Sequence, residues 1–539
     1  MELGSISLIV FLPLAFGVLL LPTGREIPNR VWQGVGLLAT LATFVLSLQL
    51  WAGYDLVGGG FQFLEHHPWL ERYGIHYFVA IDGISLMLVL LTTFLMPIVM
   101  LATWNDVERD VRSYVFFLLA LETGLLGAFV SLNLFMFYVF WEVLLVPMYF
   151  LIGIFGGPRR LYAAVKFFVF GTFGSLAMLI ALLILHRLNF EQSGGAPNFD
   201  WVTLAGQTGL GLADTRVALA GGDVWWRAQP FLFGLVGLAF AIKLPLFPLH
   251  TWFPDSQVEA PAAGAVVLAA LLTKLGAYGF LRFALPLFPN AAIEYSGLIF
   301  GLALAGVLYG SLVAMVQGDV KRLVAYVSLA QLGSIVIGIF ALNPQGLTGA
   351  VLQMVSHGLS IAALLILIGF LYQRRQTLAI AELGGIARPM PIYAALFGVA
   401  VFSLIGLPSL SGFVGEILIL LGAFESAPWV AVAATAGVVF SASGLLWMYR
   451  RVMFGGVDNP ENRALMDLGW RERLVVLALL IPIVWIGVYP DPVLRRVEPS
   501  VVRALRLVDS RTVVAPVEPL ESAEPGVLDE LATRPDGVD

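Results

Sequence analysis

The stretch "FAIKLPLFPLHTWFPD", residues 240–255, follows the apolar run "PFLFGLVGLA" and falls where a membrane-crossing helix should be finishing its path. It holds a lysine, three prolines, a histidine and an aspartate. Pro245 and Pro248 have no N–H to continue a helical ladder, so they end it and free carbonyls one turn back, near residues 241 and 244. Bare backbone groups are tolerated at membrane depth only where protein or internal water satisfies them. A helix broken beside Lys243 is therefore expected to hold a titratable amine next to a buried polar space.

The rest of the chain sets the same context. Of 539 residues, 59% are hydrophobic and 12% charged, and the mean hydropathy is +0.89. Soluble domains carry about 25% charged residues, so the fold class is an all-α polytopic membrane protein. Apolar stretches of about 20 residues, each able to cross a hydrocarbon core of roughly 30 Å, recur along most of the length. They predict about fourteen spans, near 5–22, 31–52, 80–103, 114–130, 133–155, 161–186, 229–253, 258–285, 292–316, 321–342, 346–372, 390–421, 429–449 and 473–490. The first span has no basic segment before it and reads as retained, not as a cleaved signal. Loops after odd-numbered spans carry sixteen Arg or Lys, from Arg25 to Arg473; those after even-numbered spans carry five, Arg72, Arg187, Arg216, Arg227 and Arg282. The excess marks the cytoplasmic side, so both termini are expected on the outer face of the membrane. The end of the chain, "VVAPVEPLESAEPGVLDELATRPDGVD", is rich in Pro and Glu and reads as a flexible polar tail from about residue 495.

Several chemistries are excluded or unsupported. There is no cysteine, hence no disulfide, thiolate zinc site or cysteine-ligated iron–sulfur cluster. Six scattered histidines argue against a metal or haem cage, and His66, His67, His76 and His186 read as loop or interface residues. No dinucleotide or Walker fingerprint occurs, and the net charge of -6 gives no nucleic-acid footprint.

Lysine usage carries the functional signal. The chain has four lysines, and Lys166, Lys243 and Lys274 fall inside apolar spans while Lys321 lies in a cytoplasmic loop. Arginine stays charged at any relevant pH, whereas lysine can release its proton when burial penalises the charge. Glu122, Glu142 and Glu416 supply carboxylates inside other spans. An ionised group at the bilayer centre costs about 2.5–3.5 kcal/mol even on a lenient scale, so such residues pair, line a wet cavity, or both. Gly406, Pro408 and Gly412 interrupt the helix before Glu416 much as the prolines do after Lys243, and paired interruptions mark transporters built from inverted repeats. His357 and His250 are candidate relays at neutral pH. Lys166 reads as snorkelling to the headgroups, and Asp82 and Asp255 as helix caps.

The blocks "NLFMFYVFWEVLLVPMYFLIGIFGG", "KLPLFPLHTWFPD", "VEAPAAGAVVLAALLTKLGAYG", "GDVKRLVAYVSLAQLGSI", "MVSHGLSIAALLIL" and "GLPSLSGFVGE" together resemble the antiporter-like membrane subunits of respiratory complex I, the NADH:quinone oxidoreductase. "LVPMYFLIGIFGG" after Glu142, and an acid at 416 where sister chains place lysine, resemble the M-type chains. The resemblance implies two inverted five-helix repeats, residues 113–285 and 286–455, after N-terminal helices in 1–112 and before a last helix in 456–494, with the tail in 495–539. It implies a proton-translocating, non-redox subunit of a translocase in the bacterial inner membrane, embedded in lipid. It would bind no cofactor itself and assemble with L-, N- and K-type partners, with NADH, FMN, Fe–S clusters and quinone held elsewhere. Glu142, Lys243, Lys274, His250, His357, Glu416 and Glu122 would carry the protons, Glu142 and Lys243 as an ion pair. Gln257 and Gln331 stand where relatives often carry histidine and cannot accept a proton. A Mrp-type cation/proton antiporter, a membrane-bound hydrogenase and a purely structural scaffold are the competing readings.

Overall fold

Several spans begin where a polar side chain can replace the missing helical acceptor. Asp82 accepts from the N–H groups of Ile84 and Ser85, Asn133 from Met136, Asp319 from Arg322 and Asn343 from Gly346. The computed structural model describes residues 4–22, 27–57, 59–205, 216–218 and 225–509. Arg25 and the Pro/Glu-rich end of the chain lie outside them. Ten helices among the described residues are long and apolar enough to cross a membrane. Shorter apolar helices span Ser5–Leu20, Ala228–Lys243 and Pro391–Leu404.

Among the described residues, two spans are broken where the sequence placed the breaks. Helix Ala228–Lys243 stops before Pro245 and resumes as Trp252–Glu259; helix Pro391–Leu404 stops before Gly406 and resumes as Ser411–Ser426. The predicted spans 229–253 and 390–421 are thus each two helices. Both breaks close with the same widened turn, Leu246 N–H to Ala241 O at 2.8 Å and Leu407 N–H to Phe402 O at 3.0 Å. Ala241 O is therefore not the freed carbonyl that proline spacing predicts. The neighbouring Ile242 O takes the indole N–H of Trp252 at 2.9 Å, and Leu404 O takes the Gln331 amide at 3.1 Å. A side chain from elsewhere satisfies the backbone at each break.

A third irregularity sits in the span Ala262–Leu287, buried from Ala263 onward, which contains two π-turns, Leu268–Leu272 and Phe280–Ala284. Between them Gly276 lets the span press on the first break. A Cβ there would stand 2.6 Å from Phe240 O and 2.7 Å from Leu244 N.

Three expectations need correction. The fold is not wholly α-helical: strands Gln62–Leu70 and Ile75–Ile81 pair as an antiparallel hairpin that leads into helix Gly83–Ala102, and Arg216–Ala218 pairs with Trp225–Arg227. The segment after 495 is not tail through its first part. After a 71° bend from helix Trp470–Val488 it forms helix Asp491–Asp509, which buries Val493, Val497, Val501, Leu505 and Val508 along one face. Arg282 is not a loop cation. It is 4% exposed and pairs with Asp82 at 2.5 Å, with its guanidinium 5.0 Å from the Phe61 ring.

Removing one member of a buried ion pair costs about 3–5 kcal/mol because the other charge is stranded. Asp82→Ser keeps a helix cap while deleting the charge. Arg282→Met and Asp82→Ser should each lower the unfolding midpoint of the purified chain, and the double variant should lose less than the two single losses combined; additive losses would contradict the pairing.

Candidate functional site

Lys274 lies just past the first π-turn. The wider turn sends Thr273 N–H to Leu268 O, five residues back, at 3.3 Å. Ala269 O, which a regular helix would commit to that N–H, instead accepts from Lys274 Nζ at 2.8 Å and from Thr273 Oγ1 at 3.0 Å. The same amine meets His357 Nδ1 at 2.6 Å, and His357 Nε2 meets Ser328 Oγ at 3.0 Å. Lys274, His357 and Ser328 are all essentially inaccessible.

A second cluster lies one helical turn away. Gln331 Nε2 donates to Glu416 Oε1 at 2.8 Å as well as to Leu404 O, and Gln331 Oε1 accepts from Gln353 Nε2 at 2.8 Å. Gln331 follows Ser328 by three residues on helix Val320–Phe340, and Gln353 precedes His357 by four on Pro344–Arg375. Three- and four-residue spacing puts side chains on one face, so two helices each contribute to both clusters. Gly406 makes room for the acid: its φ is +72°, and a Cβ would stand 2.2 Å from Glu416 Oε2. The sequence excluded Gln331 from proton exchange, and nothing in its geometry changes that. Its structural role, holding both Glu416 and the broken backbone, was not visible in sequence.

The Glu142–Lys243 ion pair expected from the resemblance is not closed. Lys243 is 2% exposed, with Nζ 4.7 Å from the centre of the Trp141 ring, and neither Nζ nor Glu142 Oε2 has a hydrogen-bond partner. Glu122 is fully buried with both carboxylate oxygens unpartnered. His250 lies in the first break, its ring 5.0 Å from Tyr309 and 5.5 Å from Phe247, with Nδ1 unpartnered. Gln257 is buried with neither amide atom bonded. An unsatisfied buried polar group costs about 1–3 kcal/mol, so this collection is unfavourable for stability alone.

Several other enclosed charges have partners. Lys166 does not snorkel; it binds Asp255 at 2.7 Å, which makes Asp255 an ion-pair partner and not a cap. Asp82 is the cap the sequence predicts, and also the partner of Arg282. Lys321 is not a loop residue: it stands in the first turn of helix Val320–Phe340 and donates to Val258 O at 2.8 Å and Ala260 O at 2.7 Å. At the same end of the bundle lies a cavity of about 740 Å³, lined by Asp106, Glu259, Asp319, Lys321 and Gln373 among others. His66 and His76, set aside as isolated, converge on Asp200. The only advance signal was their placement on either side of a short turn.

Comparison with known proteins identifies the family. The family described as "NADH:quinone oxidoreductase/Mrp antiporter, TM" matches residues 131–441, and that described as "NADH-ubiquinone oxidoreductase chain 4, amino terminus" matches residues 14–128. NADH-quinone oxidoreductase subunit M of Rhodobacter capsulatus is 42% identical over 503 residues, covering 92% of this chain and 95% of that one. The chain belongs to the NADH-quinone oxidoreductase M family. Another member of the M family, from Rickettsia prowazekii, is 38% identical over 496 residues, 92% of this chain and 97% of its own. Among solved structures, a chain of respiratory complex I from Thermus thermophilus with bound NADH superposes with a TM-score of 0.81 at 31% identity, over 93% of this chain and 99% of that one. A chain of the Mrp complex from Dietzia sp. superposes with a TM-score of 0.79 over 94% of this chain and 100% of that one, but at 19% identity it shows a shared fold alone.

Asp106 lies in the connection after helix Gly83–Ala102, outside the spans. Burial pushes its carboxyl up from 3.8 to about 6, against the opposing pull of Arg471, a hydrogen bond from Gln373 and Lys321. The folded chain then holds a proton that the unfolded chain has lost between about pH 4 and 6, so its contribution to stability falls as pH rises through that window. Asp106→Asn should raise the unfolding midpoint at pH 7.5 and raise it less at pH 5, read by scanning fluorimetry; an equal difference at both pH values would refute the assignment.

Proposed function

We propose that this chain is a proton-translocating, non-redox subunit in the membrane arm of an NADH:quinone oxidoreductase. The observation that carries the proposal is the pair of buried clusters, Lys274–His357–Ser328 and Glu416–Gln331–Gln353, one helical turn apart on two shared helices. Structural glue would not need an amine, an imidazole and a carboxylic acid in sequence along one seam. Protons enter from the side of the cavity around Asp106, reach Lys243, and pass by way of Lys274 and His357 to Glu416 and the opposite face. His250 assists near the first break and Glu122 supports the region of Glu142. Unpartnered atoms on Lys243, His250, Ser356 and Gln353 are the points where internal water joins one group to the next, since buried water usually makes about three hydrogen bonds to otherwise unsatisfied groups.

Control rests with Glu142 and Lys243. Two unit charges 4 Å apart attract by about 4 kcal/mol at an effective dielectric of 20. That exceeds the roughly 2.3 kcal/mol needed to move one charge against 100 mV. Closing the pair holds the proton on Lys243, and opening it releases the proton toward Lys274. The energy comes from partner subunits that hold NADH, FMN, iron–sulfur clusters and quinone, because no redox group is expected on this chain.

The architecture follows. The ten long spans, three shorter apolar helices and the bent C-terminal pair make fourteen crossings. The matching breaks mark two inverted repeats, residues 113–285 and 286–455, between N-terminal helices in 1–112 and a last crossing in 456–494. Loop charges put both termini on the outer face of a bacterial inner membrane, with L-, N- and K-type chains as neighbours. A Mrp-type antiporter shares the fold, but relatives at 42% and 38% identity carry the oxidoreductase name.

In the assembled complex, reconstituted in sealed vesicles and driven by NADH, Glu142→Gln and Lys243→Ala should each abolish most proton pumping. Near-normal acidification in either variant, with subunit content unchanged, would support a static scaffold instead.

A further inference from the structure

The hairpin Gln62–Leu70 with Ile75–Ile81 brings together side chains that the proton seam does not use. His66 pairs across the hairpin with Phe78, and His76 stands two residues before Phe78. That diagonal relation puts both imidazoles on one face, with ring centres 4.8 Å apart. Asp200 comes up from the segment bridged to Asn133. His66 Nε2 lies 3.3 Å and His76 Nδ1 2.8 Å from the same oxygen, Asp200 Oδ2.

We propose that His66, His76 and Asp200 form a binding site for a divalent transition-metal ion of the zinc class. Their three donor atoms lie within 4.8 Å of one another. Around an ion with ligands at 2.0–2.1 Å, tetrahedral donors stand about 3.3 Å apart, so the His66–Asp200 separation already fits, the His76–Asp200 contact needs to open by about half an ångström, and the two imidazole nitrogens, which lie within 4.8 Å, close on the ion by side-chain rotation. Two imidazoles and one carboxylate are a donor set that zinc accepts, with a fourth position left to water. The carboxylate is already oriented, because Asn133 Nδ2 donates to Asp200 Oδ1 at 2.9 Å and leaves Oδ2 to the histidines. Such outer contacts fix a ligand's direction in metal sites. Access comes from solvent, since the His66 side chain is 47% exposed while that of Asp200 is 9% exposed. The proposed membrane orientation puts the site on the outer face; the site itself does not depend on that orientation.

The decisive measurement is zinc binding by the detergent-purified complex after chelator treatment, compared with complexes carrying His66→Gln or His76→Gln. His66 is half-exposed, so its replacement leaves the hairpin intact, and His76→Gln checks the same ion through a more enclosed ligand. Wild type should hold one more zinc per complex than either variant, or bind it at least tenfold more tightly, since even an outer-contact change costs roughly 10–100-fold. Cobalt soaked into the wild type should give a tetrahedral visible band that both variants lack. Superimposable isotherms in all three proteins would overturn the proposal and leave a hydrogen-bonded His–Asp–His cluster. NADH-driven pumping is not the readout, so failure of this site and failure of the proposed function are separable.

Discussion

Hydrocarbon offers no partner to an N–H or C=O, and every break in a membrane helix must therefore be repaired from within the protein. That constraint shapes the centre of this molecule. The carbonyls exposed beside Lys243 and before Glu416 are met by the Trp252 indole and the Gln331 amide. Gln331 serves the acid and the backbone together, so the second break and the position of Glu416 are one structure. The breaks are matched in detail, down to the residue five places back that accepts the closing bond.

Buried charges divide by what they touch. Asp82 with Arg282, Lys166 with Asp255 and Arg374 with Glu472 are closed pairs. They tie the beginnings and ends of spans to one another. Lys243 Nζ and both oxygens of Glu122 have no hydrogen-bond partner, and Lys274 meets an imidazole and a carbonyl with no carboxylate in reach of a hydrogen bond. A protein selected for rigidity alone would pair or delete such groups, because a stranded buried charge is among the most destabilising features a core can contain. Such unpaired groups are what the proposed proton path requires.

Much of this was legible in the sequence because membrane physics leaves few alternatives. Apolar length locates spans, proline and glycine locate breaks, and lysine among 26 arginines locates amines worth burying. What escaped depended on contacts between distant segments. Arg282 looked like a loop cation because its partner lies 200 residues away in Asp82. His66 and His76 needed the register of a hairpin, and Asp200 needed its bridge to Asn133. The helix Asp491–Asp509 was missed because an amphipathic helix has an apolar stripe on a polar background, which a search for uniformly apolar runs passes over. The expected Glu142–Lys243 contact is not closed, because Lys243 Nζ lies over the Trp141 ring, a packing detail that sequence does not carry.

The π-turn before Lys274 has a consequence for how this span tolerates change. Such a turn is one extra residue inserted in an α-helix, and each residue rotates the helix by about 100°. The widened turn absorbs that rotation by spreading about five residues over the arc that about four cover in an α-helix, so deleting a single residue between Leu268 and Leu272 would restore regular winding, leave the lysine near its present angle, and return to the backbone ladder the carbonyl that now accepts from it. A span of even pitch would still aim the amine inward but would deprive it of its backbone acceptor, so the irregularity governs what the lysine binds and not where it points.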